Sequence, residues 1–282
     1  AVILTTFQQD FLPDAWYRGY EVKGNRIVVD HLFDSDVDTG SRKLQEHKFE
    51  LRSPHWMWYR SALLAHDAGY HRYRPNRMYT HDFLCLMNKV RAHRDLVMYD
   101  LLPQLRTARW SYVERGFDIG DPLERAGPIF WEYYMNPQWY DSTCWHFVVE
   151  SWVRSDAWYQ GGWPFYRTEI SEKSYKPLAY FQPFVVLGSV DTLKFLRSQG
   201  FETFDNLWSE QYDNIAKDLD RMTAVIDHVK HLVLSYNQRS PAWDRFTEQK
   251  LQHNHNRFFD LATVKQRFDT EIIGDILEFI EQ

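Results

Sequence analysis

Ionisable side chains recur in this chain at one kind of place, where an apolar run gives way to polar residues. From Arg167 to Phe204 the chain reads RTEISEKSYKPLAYFQPFVVLGSVDTLKFLRSQGFETF. Glu169 and Glu172 flank Ser171, and Lys173 and Lys176 follow at helical spacing. Ser171 supplies an N-cap and Glu172 an acid for the first turn, which is a purely structural use of both. Lys173 is different, because a cation in a first helical turn gains nothing from the dipole. An anionic ligand above that terminus would resolve the mismatch. Gly188, directly after the run FVVL, allows a tight turn or the close approach of a ligand.

Three further groups share this placement. The run Phe83–Met87 leads into Asn88, Lys89, Arg91, His93 and Arg94 at the opening of a helix, which again suits an anion. The run His146–Val149 ends in Glu150. The run Ile27–Val29 ends in DHLFDSDVD, so Asp30, His31, Asp34, Asp36 and Asp38 follow a short strand. Acidic groups there serve as a general base or a metal ligand, and equally well as exposed turn residues. The spacing lacks the central glycine and terminal Glu of a calcium loop, and the chain has no GxGxxG or Walker sequence.

The elements that must position these groups alternate. A polar loop, a helix from Glu172 to Tyr180, a buried strand over Phe184–Leu187 and a helix from about Asp191 to Gln199, closed by Gly200, make one α/β unit. Strands are expected at 27–29, 83–87 and 146–149. A helix is expected from Trp56 to Gly69, and long helices over 216–236 and 241–280. Residues 201–215 read as a lid or surface helix. The glycine- and proline-rich stretch 116–128 is the best linker, giving domains 1–122 and 123–282. Trp152–Tyr166, broken by Gly161, Gly162 and Pro164, reads as a binding loop.

Composition narrows the class. The 282 residues suffice for one large or two smaller domains, with 44% hydrophobic and 26% charged residues as in ordinary folded proteins. The aromatic share of 17% is high and suits core packing or a cleft that stacks on bases or sugars. A net charge of -6 excludes general phosphate-backbone binding by charge alone. A local basic surface remains open at Arg72, Arg74 and Arg77, interleaved with Tyr73 and Tyr79. Cys85 and Cys144 lack metal-site spacing and read as buried thiols in a reducing compartment. No apolar run approaches membrane-spanning length and the opening AVILTTFQQDF is too quickly polar for a signal peptide, so a cytoplasmic location is expected. In the HNHN tract, His253 and His255 lack partners at metal-ligand spacing and read as part of a solvated helix.

The combination FLCLMNKVRAHRD, the strand ending in Glu150, and TEISEKSYKPLAYFQPFVVLG with LKFLRSQGFETF resembles phage-encoded and bacterial glycosyltransferase-like proteins. It is also similar, more distantly, to the sugar-nucleotide half of fucosyltransferases. The resemblance implies an α/β fold of two Rossmann-like domains facing across a cleft (GT-B-like), here with C-terminal helices. It places the donor, a nucleoside-diphosphate sugar, on the C-terminal domain and the acceptor toward the N-terminal one. It implies that Lys173 contacts the diphosphate and that Glu172 or Glu150 meets the ribose hydroxyls. Lys176 then neutralises the leaving phosphate or faces solvent. A phage origin would put the protein in the host cytoplasm.

The reaction so implied moves a glycosyl group to a hydroxyl, with negative charge growing on the departing diphosphate. Lys173, Arg94 or Arg91 and helix amides would stabilise that charge. Inversion at the anomeric centre would need a base, for which Asp34 or Asp36 is preferred and His31 the alternate. The acceptor is a glycan or a hydroxylated base in phage DNA. No tightly bound cofactor is expected, and dependence on a divalent metal is left open. The rival reading is a non-catalytic protein that recognises glycans or nucleotides through its aromatic loops.

Overall fold

The computed structural model describes residues 2–6, 27–31, 48–49, 56–117, 136–151, 153, 170–235 and 243–270. The chain divides into two compact units, Ala1–Trp56 with Ala262–Gln282, and Met57–Leu261. In the first unit, strands β1 (Val2–Thr6), β2 (Ile27–His31) and β3 (Lys48–Phe49) form a parallel sheet in the order β1-β2-β3. The opening run VILTT, which the sequence reading passed over, is its first strand.

The second unit is an α/β layer structure on a four-stranded sheet. After helix α1 (Trp56–Asp67) come β4 (His81–Met87), α2 (Ala92–Asp100), the short α3 (Leu102–Leu105) and β5 (Arg109–Tyr112). Then follow α4 (Pro137–Asp141), β6 (Thr143–Val149), α5 (Glu172–Ala179), β7 (Phe184–Leu187), α6 (Thr192–Ser198), α7 (Asp218–Ser235) and α8 (Arg245–Phe258). The strand order is β5-β4-β6-β7, and every pairing is parallel. Every residue of β6 and of β7 is buried. Such unbroken burial, instead of alternation, is what a sheet covered on both faces shows.

The order explains the cover. The chain leaves β4 for β5 in one direction and leaves β6 for β7 in the other. Right-handed crossovers running opposite ways put their helices on opposite faces. Accordingly α2 packs with α7, whereas α5 packs with α8. In α7 the buried positions Arg221, Val225, Val229 and Leu232 make the inward stripe. The sheet draws β4 and β5 from one side of the expected 122/123 boundary and β6 and β7 from the other. The boundary residues themselves lie outside the described ones.

Many of the aromatic rings form the core here. Phe83 stacks on Trp145 at 4.8 Å, Tyr140 on Tyr180 at 4.2 Å, and Phe184 meets Phe204 edge-on at 5.4 Å. Residues 201–215 are no lid. Phe201, Phe204, Trp208 and Tyr212 are all buried, and the segment is turns plus one 3-10 turn, Gln211–Asn214. Glu210 holds it by accepting from the Phe204 amide at 2.7 Å, and Lys250 by donating to the Thr203 carbonyl at 2.6 Å. No helix among the described residues is long and apolar enough to cross a membrane.

Candidate functional site

Strands β4 and β6 are neighbours whose following connections diverge, which makes the region beyond their carboxyl ends the topological switch point of the sheet. That is the place where open parallel sheets bind ligands. Three of the ionisable groups read from the sequence meet there: the turn into α2, Glu150 after β6, and the first turn of α5.

Helix α2 starts without a side-chain cap. Arg91 is its N-cap residue, in extended conformation, and makes no capping bond. The amides of Ala92 and His93 have no acceptor among the described residues. The loop before them is fixed by Glu114, which accepts from Lys89 Nζ and from the Val90 amide, both at 2.7 Å. Lys89 is thereby committed to an ion pair. The Tyr112 hydroxyl accepts from the Arg91 amide at 3.2 Å and donates to Asp95 at 3.0 Å.

Beneath this turn lies Arg94, only 1% exposed. Its Nη1 donates to the Lys89 carbonyl at 3.0 Å and Nη2 to the Val149 carbonyl at 3.4 Å, so the guanidinium spans the ends of β4 and β6. Its Nε has no partner, and no carboxylate among the described residues reaches it as an ion pair. Burial lowers its proton affinity, Glu150 and Glu172 oppose this from a distance, and an arginine stays charged regardless. His93 Nε2 lies 2.9 Å from the Glu150 carbonyl oxygen. Burial pulls its pKa down to about 4; the Glu150 bond resists and Arg94 and Arg91 reinforce the fall.

Glu150, 2% exposed, organises the other side of this region. One carboxylate oxygen accepts from the Ser171 amide at 3.1 Å and the Ser174 hydroxyl at 2.6 Å. The other accepts from the Ser171 hydroxyl and the Ser151 amide. Ser171 caps α5 as expected, accepting from the Lys173 amide at 3.3 Å. Lys173 Nζ sits 2.5 Å from Glu172. Burial alone would raise the Glu172 carboxyl, but Lys173, then Lys176, hold it at about 2. Lys176 is half-buried, and its charge is felt at Glu172 and at His146.

Gly188, directly after β7, packs close against Glu150 and Thr192. A Cβ there would come 2.8 Å from Thr192 Oγ1 and 3.5 Å from Glu150 Cγ. Two residues that the sequence reading missed hold this region. Arg221 donates to the Gly188 carbonyl. Asp213 accepts from the Leu193 and Lys194 amides at 2.9 and 3.0 Å, capping α6 from a distant loop. The available signal was a charged residue on the apolar stripe of α7; for Asp213 no local signal exists.

Asp34 and Asp36 lie outside the described residues, as does Trp152–Tyr166 apart from Val153, and His31 ends β2 in the first unit. The arginine and tyrosine tract is largely committed to the fold. Arg77 pairs with Glu248, Tyr73 donates to Asp141 at 2.5 Å, and Tyr79 accepts from Trp243 Nε1 at 3.1 Å. Arg72 and Arg74 are exposed. His255 is buried against Phe181 and reaches the Ala179 carbonyl, while His253 reaches the Gly200 carbonyl, so the expectation of a solvated helix fails for His255. Among the described residues no cluster of three or more His, Cys, Asp or Glu is placed to hold a metal ion. Comparison of the chain with protein-family models, curated proteins and solved structures gives no match.

Proposed function

We propose that this chain is a glycosyltransferase that takes its sugar from a nucleoside-diphosphate donor bound at the β4–β6 switch point. One observation carries the reading: a buried guanidinium, Arg94, lies without a contacting carboxylate beneath the uncapped start of α2. A buried cation lacking a direct counter-ion is costly, and free amides at a helix start attract anions, so both call for the same ligand. The diphosphate then rests on the Ala92 and His93 amides with Arg91 beside it, and Arg94 supplies field from below. Lys173, on α5, exchanges part of its pairing with Glu172 for the leaving phosphate. Glu172, ionised and at the rim, suits the ribose hydroxyls better than Glu150, whose oxygens already accept four bonds.

Placed donors of this kind stabilise the charge that grows on the departing diphosphate. In this reading the two units, 1–56 with 262–282 and 57–261, are the two Rossmann-like domains of a GT-B-like pair. In that arrangement the first unit carries the acceptor, a glycan or a hydroxylated base, and the base among Asp34, Asp36 and His31.

The test is a thermal-shift screen against sugar nucleotides, followed by measurement of nucleoside diphosphate release. A donor at about a hundred times its Kd stabilises the fold by about 2.7 kcal/mol. Lys173→Ala should weaken donor binding and slow transfer together. Stabilisation by free glycans alone, without response to any sugar nucleotide, would replace the enzyme with a glycan-binding protein.

A further inference from the structure

His93 stands at the second position of α2, and its ring is anchored from one side. A carbonyl oxygen only accepts, so the bond to Glu150 fixes the hydrogen on Nε2 and leaves the lone pair on Nδ1. Nδ1 has no partner among the described residues. The ring therefore offers a basic nitrogen in the same helical turn as the free amides of Ala92 and His93.

The charges around it are unbalanced. Arg91 and Arg94 come from its own helix, and the Glu150 carboxylate, at the end of β6, is turned to Ser171 and Ser174. On α5, Glu172 is neutralised by Lys173, with Lys176 one turn further. Lys89 is paired with Glu114, and Asp95 with Arg115 and Tyr112. Burial and two guanidinium groups thus keep His93 neutral, and nothing nearby rewards a proton on Nδ1. An anion laid on the α2 amides changes the sign of the nearest charge.

We propose that His93 takes up one proton when a diphosphate ligand binds, becoming an imidazolium that donates from Nδ1 to a ligand oxygen while Nε2 stays on the Glu150 carbonyl. The proton comes from solvent, one N–H bond forms at the Nδ1 lone pair, and no covalent bond to the ligand is made. The inference rests on the diphosphate reading of this site. It adds that donor affinity is coupled to pH through a single side chain. Because the ligand raises the ring's pKa, affinity climbs as pH falls through the bound-state value, by at most about tenfold per pH unit for one proton.

UDP-glucose and GDP-mannose are suitable probes, since their diphosphodiesters do not titrate near neutrality. Calorimetric titrations at about pH 6, in buffers of different ionisation enthalpy, count the protons taken up. The wild type should absorb a substantial fraction of one proton, and its affinity should weaken from about pH 6 to 8. His93→Gln, which keeps a donor for the Glu150 carbonyl, should bind with no uptake and a flat pH profile. NMR of the wild-type His93 ring carbons, with and without the probe, checks the same point without relying on a variant. Binding with no uptake, or uptake unchanged in H93Q, overturns this inference alone. Failure of every sugar nucleotide to bind overturns the diphosphate reading and takes this inference with it.

Discussion

Arg221 Nε donates to the carbonyl oxygen of Gly188 at 3.0 Å, joining α7 to the loop that leaves β7. The same guanidinium reaches the Ile215 carbonyl at 2.5 Å and the Ala216 carbonyl at 3.3 Å through Nη1, and Asp218 at 2.6 Å through Nη2. One buried fork thus fixes two stretches of irregular backbone, at Gly188 and at Ile215–Ala216, and ties them to the first turn of α7.

Arg221→Ala should therefore cost about 3 kcal/mol of unfolding free energy or more, because it strands several carbonyls in the interior. Arg221→Lys should recover only a small part, since an ammonium lacks the planar fork. Urea unfolding monitored by tryptophan fluorescence measures both. A loss below about 1 kcal/mol for the alanine variant would show that the fork is dispensable.

Gly188 is needed for space and not for backbone conformation. Its absent Cβ faces Thr192 Oγ1 at 2.8 Å, and Thr192 is itself buried and donates to the Ser189 carbonyl at 2.7 Å. Gly188→Ala should destabilise by about 1–3 kcal/mol through overpacking. Adding Thr192→Ala should return part of that loss, a non-additivity that a double-mutant cycle reads directly. Strict additivity would place the strain elsewhere.

The layers of the second unit were legible because they rest on local pattern. The expected strands 83–87, 146–149 and 184–187 lie within β4, β6 and β7, and Gly200, at φ +91, closes α6 as expected. Strand β5 was hidden because Arg109–Tyr112 is short and mixed, and its place comes from pairing with β4. The polar groups after β4 and β6 were visible as residue types. The Ser171 cap of α5 was legible too, whereas the tie from the Glu150 carboxylate to the Ser171 amide, across 21 residues, was not. Arg221 and Asp213 act over separations that no local window spans.

Glu150 links the end of β6 to the start of α5 through four accepted bonds, all from donors. Glu150→Gln keeps the shape but turns an amide donor toward donors, so it should cost about 2–4 kcal/mol. The loss should be local first. Hydrogen exchange at the Ser171 and Lys173 amides should accelerate more than exchange in β6. Equal acceleration in both would mean that Glu150 supports the whole sheet instead of the α5 terminus.

His93 and His146 contribute to the first stage of acid sensitivity, as do His228 and His255, whose burial also lowers their proton affinity. Burial dominates in each, holding His93 at about 4 and His146 at about 3, against roughly 6.5 in an unfolded chain. The unfolded chain accepts protons that the folded one refuses, so stability declines as pH drops from about 7 toward 4. Replacing His146 by Leu should flatten that slope while leaving the behaviour below about pH 3 nearly unchanged. Unfolding free energies measured across the range decide it, and an unaltered slope would remove His146 from the account.

Glu172 acts in a lower window and through the opposite charge. Burial works against its ionisation, but Lys173 at 2.5 Å, with Lys176, overrides burial and holds the carboxyl at about 2. In the unfolded chain the same group titrates near roughly 4.3. A folded value below the unfolded one means that the pair's stabilisation is complete above about pH 5 and is lost as pH falls toward 2. Glu172→Gln should therefore be less stable at neutral pH yet lose less on acidification, so its curve converges on the wild type at the acid end. Lys173→Met should show the same convergence, because either substitution removes the one pair. If Glu172→Gln is destabilised by the same amount at every pH, the carboxylate contributes through packing, and its readiness to trade Lys173 for a phosphate loses its electrostatic basis.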